Sequence, residues 1–161
     1  MKVTVINKTK FDTLMCENGI SNENVESRED ACFISINGTI AITEKPYFSG
    51  NKKNVLVLFF DDVDADAEIP ILGTGKTELN KAFTEQQAKE VIDFLEHNKD
   101  KAQCFVHCAA GYSRSGAVGA FANDYFGGNW FEFKNNNPAI KPNGRVMVML
   151  NRELRNHEGE I

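Results

Sequence analysis

The sequence lacks the features that mark several large classes of protein. Its four cysteines include no Cys-x-x-Cys pair of the kind found in zinc sites and dithiol redox centres. The longest purely apolar run, residues 55–60, is far shorter than the roughly 20 residues needed to cross a bilayer. Residues 1–11 contain lysines and no continuous apolar stretch of a secretory signal. We therefore expect a cytoplasmic protein with reduced thiols, no membrane contact, no metal and no cofactor.

Positive charge is also scarce. The chain has 18 lysines and arginines against 23 aspartates and glutamates, a net charge of −5. Binding to nucleic acid needs clustered positive charge, so we expect no nucleic-acid partner, and any anion must be bound at a local site. The apolar fraction of 42% is that of an ordinary globular protein. A length of 161 residues predicts a single domain over residues 1–161, while the oligomeric state is not indicated.

Short apolar stretches predict the strands of a sheet. Residues 55–60, Val-Leu-Val-Leu-Phe-Phe, do not alternate with polar residues, which is typical of a strand covered on both faces. We therefore predict that this stretch is an internal strand of a largely parallel sheet. The predicted strands are residues 3–6, 32–36, 40–42, 55–60 and 104–106.

Three helices are expected between and after these strands. Thr84 and Gln87 have the spacing of a capping box, and apolar residues then recur at helical intervals from position 88 to position 95. A second helix, at about residues 115–126, is apolar nearly all round and stops at Gly127. A third is expected at about residues 144–155. Alternating strands and helices predict an α/β fold with a central, mostly parallel sheet flanked by helices.

The connection over residues 61–83 is unusually long, so it is either a functional loop or a small insertion. Within it, residues 73–77, Gly-Thr-Gly-Lys-Thr, end like a nucleotide-binding loop. The glycine that such a loop needs at its start would fall at position 70, which is Pro70. We therefore predict no nucleotide site there.

The chemically informative segment is residues 107–115, His-Cys-Ala-Ala-Gly-Tyr-Ser-Arg-Ser, between a predicted strand and a predicted buried helix. Five residues separate Cys108 from Arg114, enough for the backbone to curl into a cup of N–H groups that binds an anion. The helix amino terminus adds partial positive charge at the same place. A thiolate of Cys108 is stabilised there and becomes a nucleophile. The planar guanidinium of Arg114 can hold two phosphoryl oxygens.

The remaining residues of the segment have supporting roles in this interpretation. Gly111 allows the tight curl. Ser115 can donate a hydrogen bond to the sulfur and help it leave, and His107 is expected to hold the loop in place instead of acting as a base. The expected substrate-binding residues are Ala109, Ala110, Gly111, Tyr112, Ser113 and Arg114.

This segment resembles the signature of the cysteine-dependent protein tyrosine phosphatase superfamily: His-Cys, five residues, Arg, then Ser or Thr. Its second half looks most like the compact dual-specificity branch, in particular small bacterial and viral members with an upstream strand ending in Phe-Asp-Asp. The resemblance extends over roughly residues 55–126. It departs from the family at Tyr112, where a smaller aliphatic residue is more usual. The resemblance implies a dual-specificity phosphatase-like fold and hydrolysis through a cysteinyl-phosphate.

Protonation of the leaving group requires a carboxylic acid at the cleft. The resemblance implies that this acid lies just past the strand at residues 55–60, and we choose Asp62, with Asp61 as the alternative. The expected substrate is a protein carrying phosphotyrosine, with phosphoserine and phosphothreonine also accepted by a shallow pocket. Two alternatives stay open: a catalytically silent phospho-binding module, and another cysteine-loop enzyme such as a sulfurtransferase or arsenate reductase.

Overall fold

The computed structural model describes residues 1–40 and 45–159 and has a four-stranded parallel sheet at its centre. In chain order the elements are β1 (Lys2–Asn7), α1 (Lys8–Glu17), β2 (Ala31–Asn37), β3 (Val55–Phe59), β4 (Ala67–Pro70), β5 (Thr77–Asn80), α2 (Glu85–His97), β6 (Gln103–Cys108), α3 (Arg114–Tyr125), α4 (Trp130–Asn136) and α5 (Gly144–Gly159). The strand order is β1-β6-β2-β3, and every neighbouring pair is parallel. The predicted α/β class and parallel sheet are confirmed.

Apolar side chains cover both faces of the sheet, because successive residues of each strand point to opposite sides. On one face, Ile34 of β2 belongs to a core shared with α2, α3 and α5. On the other face, Phe33 packs against Phe11 of α1, with ring centroids 6.2 Å apart. The sheet therefore lies between two layers, and its strands are apolar on both faces.

The prediction that residues 55–60 form an internal strand is wrong. In the described part of the chain, β3 pairs only with β2 and is the edge of the sheet. Leu56 and Leu58 face one core, while Val55 and Val57 face the other. The unbroken apolar run reflects the burial of both faces of the strand. An edge strand and a central strand can both be buried in this way, so the run does not distinguish them.

The free edge of β3 is protected by neighbouring polar groups. The Val55 backbone exchanges two hydrogen bonds with that of Lys52, at 2.9 and 3.2 Å. The Val57 N–H donates to Asn51 Oδ1 at 2.7 Å, and Gln87 Nε2 donates to the Phe59 carbonyl at 2.8 Å. These contacts occupy groups that would otherwise pair with another strand.

The other edge strand, β1, is held by one amide side chain. Asn137 Oδ1 accepts from the Val5 N–H at 2.8 Å, and Asn137 Nδ2 donates to the carbonyls of Val3 and Phe133 at 3.2 and 2.8 Å. The side chain is buried. It satisfies the backbone of β1 as a neighbouring strand would and ties the end of α4 to the sheet.

The three predicted helices are confirmed as α2, α3 and α5. The capping box of α2 is complete, with Thr84 Oγ1 accepting from the Gln87 N–H and the Gln87 side chain accepting from the Thr84 N–H. Gly127 after α3 has φ +70°, the left-handed conformation that ends a helix. None of the helices in the described ranges is long and apolar enough to cross a membrane.

Some elements differ from the sequence predictions. Helices α1 and α4 were not predicted, because they bury only Phe11, Met15 and Phe133 and so carry little apolar periodicity. Of the predicted strand at 40–42, residues 41 and 42 lie outside the described residues, and residue 40 is not in a strand.

The long connection contains a small insertion, the hairpin of β4 and β5. Gly73 and Gly75, with φ of +79° and +68°, form its tip, where the Ile71 N–H donates to the Lys76 carbonyl at 2.8 Å. The Gly-Thr-Gly-Lys-Thr stretch therefore turns a hairpin and does not open a helix, as a nucleotide-binding loop would.

Replacing Asn137 by alanine should lower the free energy of unfolding by about 2 to 3 kcal/mol, because the buried Val5 N–H loses its acceptor and two further hydrogen bonds disappear. Urea unfolding followed by circular dichroism measures this. The matched control is Asn136→Ala, since Asn136 is exposed and at the end of the same helix. Equal effects of the two substitutions would contradict the edge-holding role of Asn137.

Candidate active site

The candidate site lies at the carboxyl edge of the sheet, between β1 and β6. Asn7 and Cys108, the last residues of these neighbouring strands, are register partners. The helices that follow diverge, because α1 packs on one face of the sheet and α3 on the other. Such a point, where neighbouring chains leave in opposite directions, opens a crevice in which α/β proteins bind ligands.

Gly111 shapes the loop that fills this crevice. Its φ is +76°, and a Cβ atom at this position would lie 2.7 Å from the backbone nitrogen of Asn7 and 2.8 Å from the carbonyl carbon of Ile6. A side chain is therefore excluded both by the backbone conformation and by the close approach to β1. The Lys8 N–H, at the start of α1, also donates to the Ala109 carbonyl at 3.3 Å. The loop is pressed against the end of β1.

The sulfur of Cys108 lies at the base of this loop. Cys108 is buried, with only 2% of its surface exposed. Its Sγ is 3.0 Å from Ser115 Oγ and accepts a hydrogen bond from the Gly111 N–H at 3.3 Å. Both contacts stabilise negative charge on sulfur when Ser115 donates. The predicted neighbours of the sulfur are thus brought together.

Several backbone donors of the loop are free to face a ligand. Among the described residues, the N–H groups of Ala109, Ala110, Tyr112 and Ser113 have no hydrogen-bond acceptor. Ser113 stands at the amino terminus of α3, yet its hydroxyl does not cap the helix, because it donates to Asp62. The N–H groups of the first turn therefore also lack a side-chain cap, which is the arrangement that binds phosphate and other anions.

Arg114 bridges the loop and the end of β3. Its Nη1 donates to the Phe60 carbonyl at 3.0 Å, and its charge is one of the influences on the neighbouring Asp61 carboxyl. One of the five guanidinium N–H groups is used in this way. The others have no acceptor among the residues that the structure describes.

His107 is enclosed between the sheet and α1 and does not face the loop's exterior. It is fully buried, and its ring centroid is 4.3 Å from that of Phe11. Its Nδ1 donates to the Cys108 carbonyl at 3.4 Å, since a carbonyl can only accept, and its Nε2 accepts from Ser35 Oγ at 2.7 Å. Burial lowers the pKa of His107 to about 4, so the imidazole is neutral at neutral pH.

The two candidate acids have very different surroundings. Asp61 is nearly buried and accepts three hydrogen bonds, from the Thr39 N–H, the Thr39 hydroxyl and the Lys81 N–H, at 3.0, 2.5 and 2.8 Å. Burial acts to raise the pKa of Asp61, but these hydrogen bonds and the charge of Arg114 outweigh it and leave the pKa below its ordinary value. The Asp61 carboxylate is therefore held in its charged form as a structural acceptor.

Asp62 is exposed and reaches the loop. Its Oδ1 accepts from Ser113 Oγ and from Asn143 Nδ2, both at 2.8 Å. Its Oδ2 has no partner among the described residues and is available to a ligand. The structure thus brings Asp62, and not Asp61, into contact with the loop of Cys108.

Asn143 is the site residue that the sequence analysis missed. Its Oδ1 accepts from the Val146 N–H at 3.0 Å and so caps α5, which aims its Nδ2 at Asp62. Its backbone N–H also donates to the Ser113 carbonyl at 3.0 Å. The sequence does carry a signal of a helix start, an asparagine before the helix, but nothing in it links position 143 to position 62.

Comparison with known proteins supports the fold. One solved structure that matches is that of human tyrosine phosphatase-like serine/threonine/tyrosine-interacting protein. The match covers 94% of this chain and 87% of the human chain, with 19% sequence identity and a TM-score of 0.54. The chain has a dual-specificity phosphatase-like α/β fold. At this identity the likeness concerns the fold alone.

Two more distant structures also match. The match to human DUSP28 covers 99% of this chain and 95% of the DUSP28 chain, with 15% sequence identity and a TM-score of 0.46. The match to the structure of PTPMT1 in complex with PI(5)P covers 99% of this chain and 94% of PTPMT1, with 14% sequence identity and a TM-score of 0.49. No protein-family model matches the chain, and no curated protein matches its sequence.

The depressed pKa of His107 predicts a pH-dependent stability. Between pH 6.5 and about 4 the unfolded chain binds a proton at this histidine and the folded chain does not, so the free energy of unfolding falls as the pH is lowered through this window. The loss attributable to His107 is about 3 kcal/mol. Urea unfolding at several pH values should show a flatter pH dependence in His107→Asn than in the wild type. Parallel curves for the two proteins would contradict this assignment.

Proposed function

We propose that the protein is a cysteine-based phosphatase that hydrolyses phosphate monoesters on proteins. The observation that carries the proposal is the position of Cys108 Sγ, held by Ser115 Oγ and the Gly111 N–H at the base of a loop with free N–H donors. This combination of a supported sulfur and an anion-binding loop is what a phosphoryl-transfer nucleophile requires. The proposed route needs no metal and no cofactor.

In the first proposed step, the Cys108 thiolate attacks phosphorus. The S–P bond forms while the bond from phosphorus to the leaving oxygen breaks. Asp62 gives its proton to that oxygen. The free Oδ2 is the atom suited to this transfer, because Oδ1 is engaged by Ser113 and Asn143.

In the second proposed step, water hydrolyses the cysteinyl-phosphate. The ionised Asp62 takes a proton from water as the water oxygen bonds to phosphorus and the S–P bond breaks. The electron pair returns to sulfur, where the Ser115 hydroxyl stabilises the thiolate. Arg114 and the loop N–H groups hold the phosphoryl oxygens in both steps.

Protein substrates are proposed over phosphoinositides. Phosphoinositide-directed relatives carry lysines inside the loop, whereas positions 109, 110 and 112 of this chain are Ala, Ala and Tyr, and the net charge is −5. We propose phosphotyrosine as a substrate, with phosphoserine and phosphothreonine also accepted. The proposed setting is the cytoplasm, where the thiols stay reduced, and all four cysteines are free. We also propose that the chain belongs to the compact dual-specificity branch, near its small bacterial and viral members, because of the loop sequence and the upstream strand that ends in Phe-Asp-Asp.

The substitution Cys108→Ser should abolish turnover of para-nitrophenyl phosphate, because the serine hydroxyl is not ionised and cannot replace the thiolate. The melting temperature should stay close to that of the wild type. Cys16→Ser, which changes the exposed cysteine, is the control and should keep full activity. Retained turnover in Cys108→Ser would refute this nucleophile, and an inactive wild type that still binds phosphotyrosine peptides would favour the phospho-binding module.

The substitution Asp62→Asn keeps the acceptor oxygen for Ser113 and Asn143 but removes the transferable proton. We expect kcat to fall by about 10² to 10⁴ for phenyl phosphate, whose leaving group is poor, and much less for para-nitrophenyl phosphate. Asp61→Asn, the comparison variant, should lower the melting temperature because three donors lose a carboxylate acceptor. The same leaving-group dependence in Asp61→Asn and not in Asp62→Asn would reverse the assignment.

A further inference from the structure

The hairpin of β4 and β5 projects from the rest of the chain; we call residues 67–80 the arm. Within residues 1–40 and 45–159 its strands pair only with each other, and none of the residues of the arm is buried. Three large apolar side chains are exposed on it: Ile69 by 45%, Leu72 by 95% and Leu79 by 48%. A lone two-stranded hairpin is only marginally stable in water, so exposed apolar groups on it need an explanation.

The base of the arm is fastened to the candidate active site. The Asp61 N–H donates to the Lys81 carbonyl at 2.7 Å, and Asp61 Oδ2 accepts from the Lys81 N–H. Asp66 Oδ1 accepts from the Ala82 N–H at 2.8 Å, and Arg145 Nη1 donates to the Asp64 carbonyl at 2.9 Å. Asp62 lies within the same base. The arm therefore begins directly beside the carboxyl group that contacts the loop of Cys108.

The surface of the arm combines apolar and acidic groups. Glu68 lies opposite Leu79, and Ile69 lies opposite Glu78, so each face carries one carboxylate and one large apolar side chain. The arm contains two carboxylates and one lysine, and Asp64 and Asp66 add two carboxylates at its base. None of these charged groups forms an ion pair within the described ranges. A complementary partner carries basic and apolar side chains.

We propose that the arm is a docking surface for the protein substrate, and that it binds basic and apolar residues flanking the phosphorylated side chain. This rests on the proposed phosphatase function, because it takes the occupant of the Cys108 loop to be a phosphorylated protein. Because the arm begins beside Asp62, which contacts the loop, the residues that flank the phosphorylated one are the part of a substrate that would meet the arm. The arm thus sets substrate preference without touching the phosphoryl group.

The test uses two fluorescent 13-residue phosphotyrosine peptides, one with alternating arginine and leucine around the phosphotyrosine and one with alternating glutamate and leucine. Their binding is measured by fluorescence anisotropy on the full chain carrying Cys108→Ser, which prevents turnover. The first arm variant is Leu72→Ser, which changes a leucine that is exposed by 95%. The second is the double variant Glu68→Gln/Glu78→Gln. Phe131→Ser, which changes a side chain of α4 exposed by 76%, is the matched control. Turnover of para-nitrophenyl phosphate is measured in chains with Cys108 intact.

The basic peptide should bind more tightly than the acidic one, and the double variant should weaken it by about fivefold at low salt, as expected for two exposed ion pairs. Leu72→Ser should weaken both peptides, and Phe131→Ser neither. All three should keep turnover of para-nitrophenyl phosphate within about twofold, since that substrate is too small to reach the arm. An inactive wild type would refute the proposed function. The docking proposal would still be tested, because peptide binding is measured independently of turnover.

Equal binding of the two peptides, or unchanged binding by both arm variants, would overturn the docking proposal. A wild type that sediments as a dimer, with Leu72→Ser as a monomer, would also overturn it, because the arm would then be covered by a second copy of the chain.

Discussion

The close approach of Gly111 to the end of β1 is the constraint on which the site depends. The loop can lie against the backbones of Ile6 and Asn7 only because position 111 has no Cβ atom and adopts a positive φ. This contact places the Gly111 N–H on Cys108 Sγ, while four other loop N–H groups have no acceptor in the part of the chain that the structure describes. The shape of the loop is thus set by backbone packing against the end of β1, and the Cys108 sulfur is positioned by the fold.

Asp61 and Asp62 are adjacent and chemically identical, but they have different surroundings and make different contacts. Asp61 is turned inward, where three donors saturate it and join the base of the arm to the end of β3. Asp62 is turned outward, where Ser113 and Asn143 hold one oxygen and no other described residue contacts the second by a hydrogen bond. The first stabilises the structure around the loop of Cys108, and the second is exposed beside that loop. The arm follows directly after both.

The sheet illustrates where apolar patterns are informative and where they are not. The run at residues 55–60 predicted a strand covered on both faces, which is confirmed, but it could not report lateral position, and β3 is an edge strand. Asn51 and Gln87 on one edge and Asn137 on the other satisfy backbone groups from elsewhere in the chain. Asparagine and glutamine at such positions look like ordinary loop or helix residues in the sequence. Their role exists only once the chain has folded.

What the sequence determined by itself was local: the α/β class, the three strongly patterned helices, and the loop from Cys108 to Ser115, whose spacing alone specifies a cup of donors at a helix start. Helical periodicity, capping and a nine-residue motif depend on neighbours along the chain, so they can be recognised from the sequence alone. The hydrogen-bond partners of Asp61 and Asp62, the place of Asn143 and the projection of the arm were decided by tertiary structure. Each depends on which distant residue supplies a donor, and that is a property of packing.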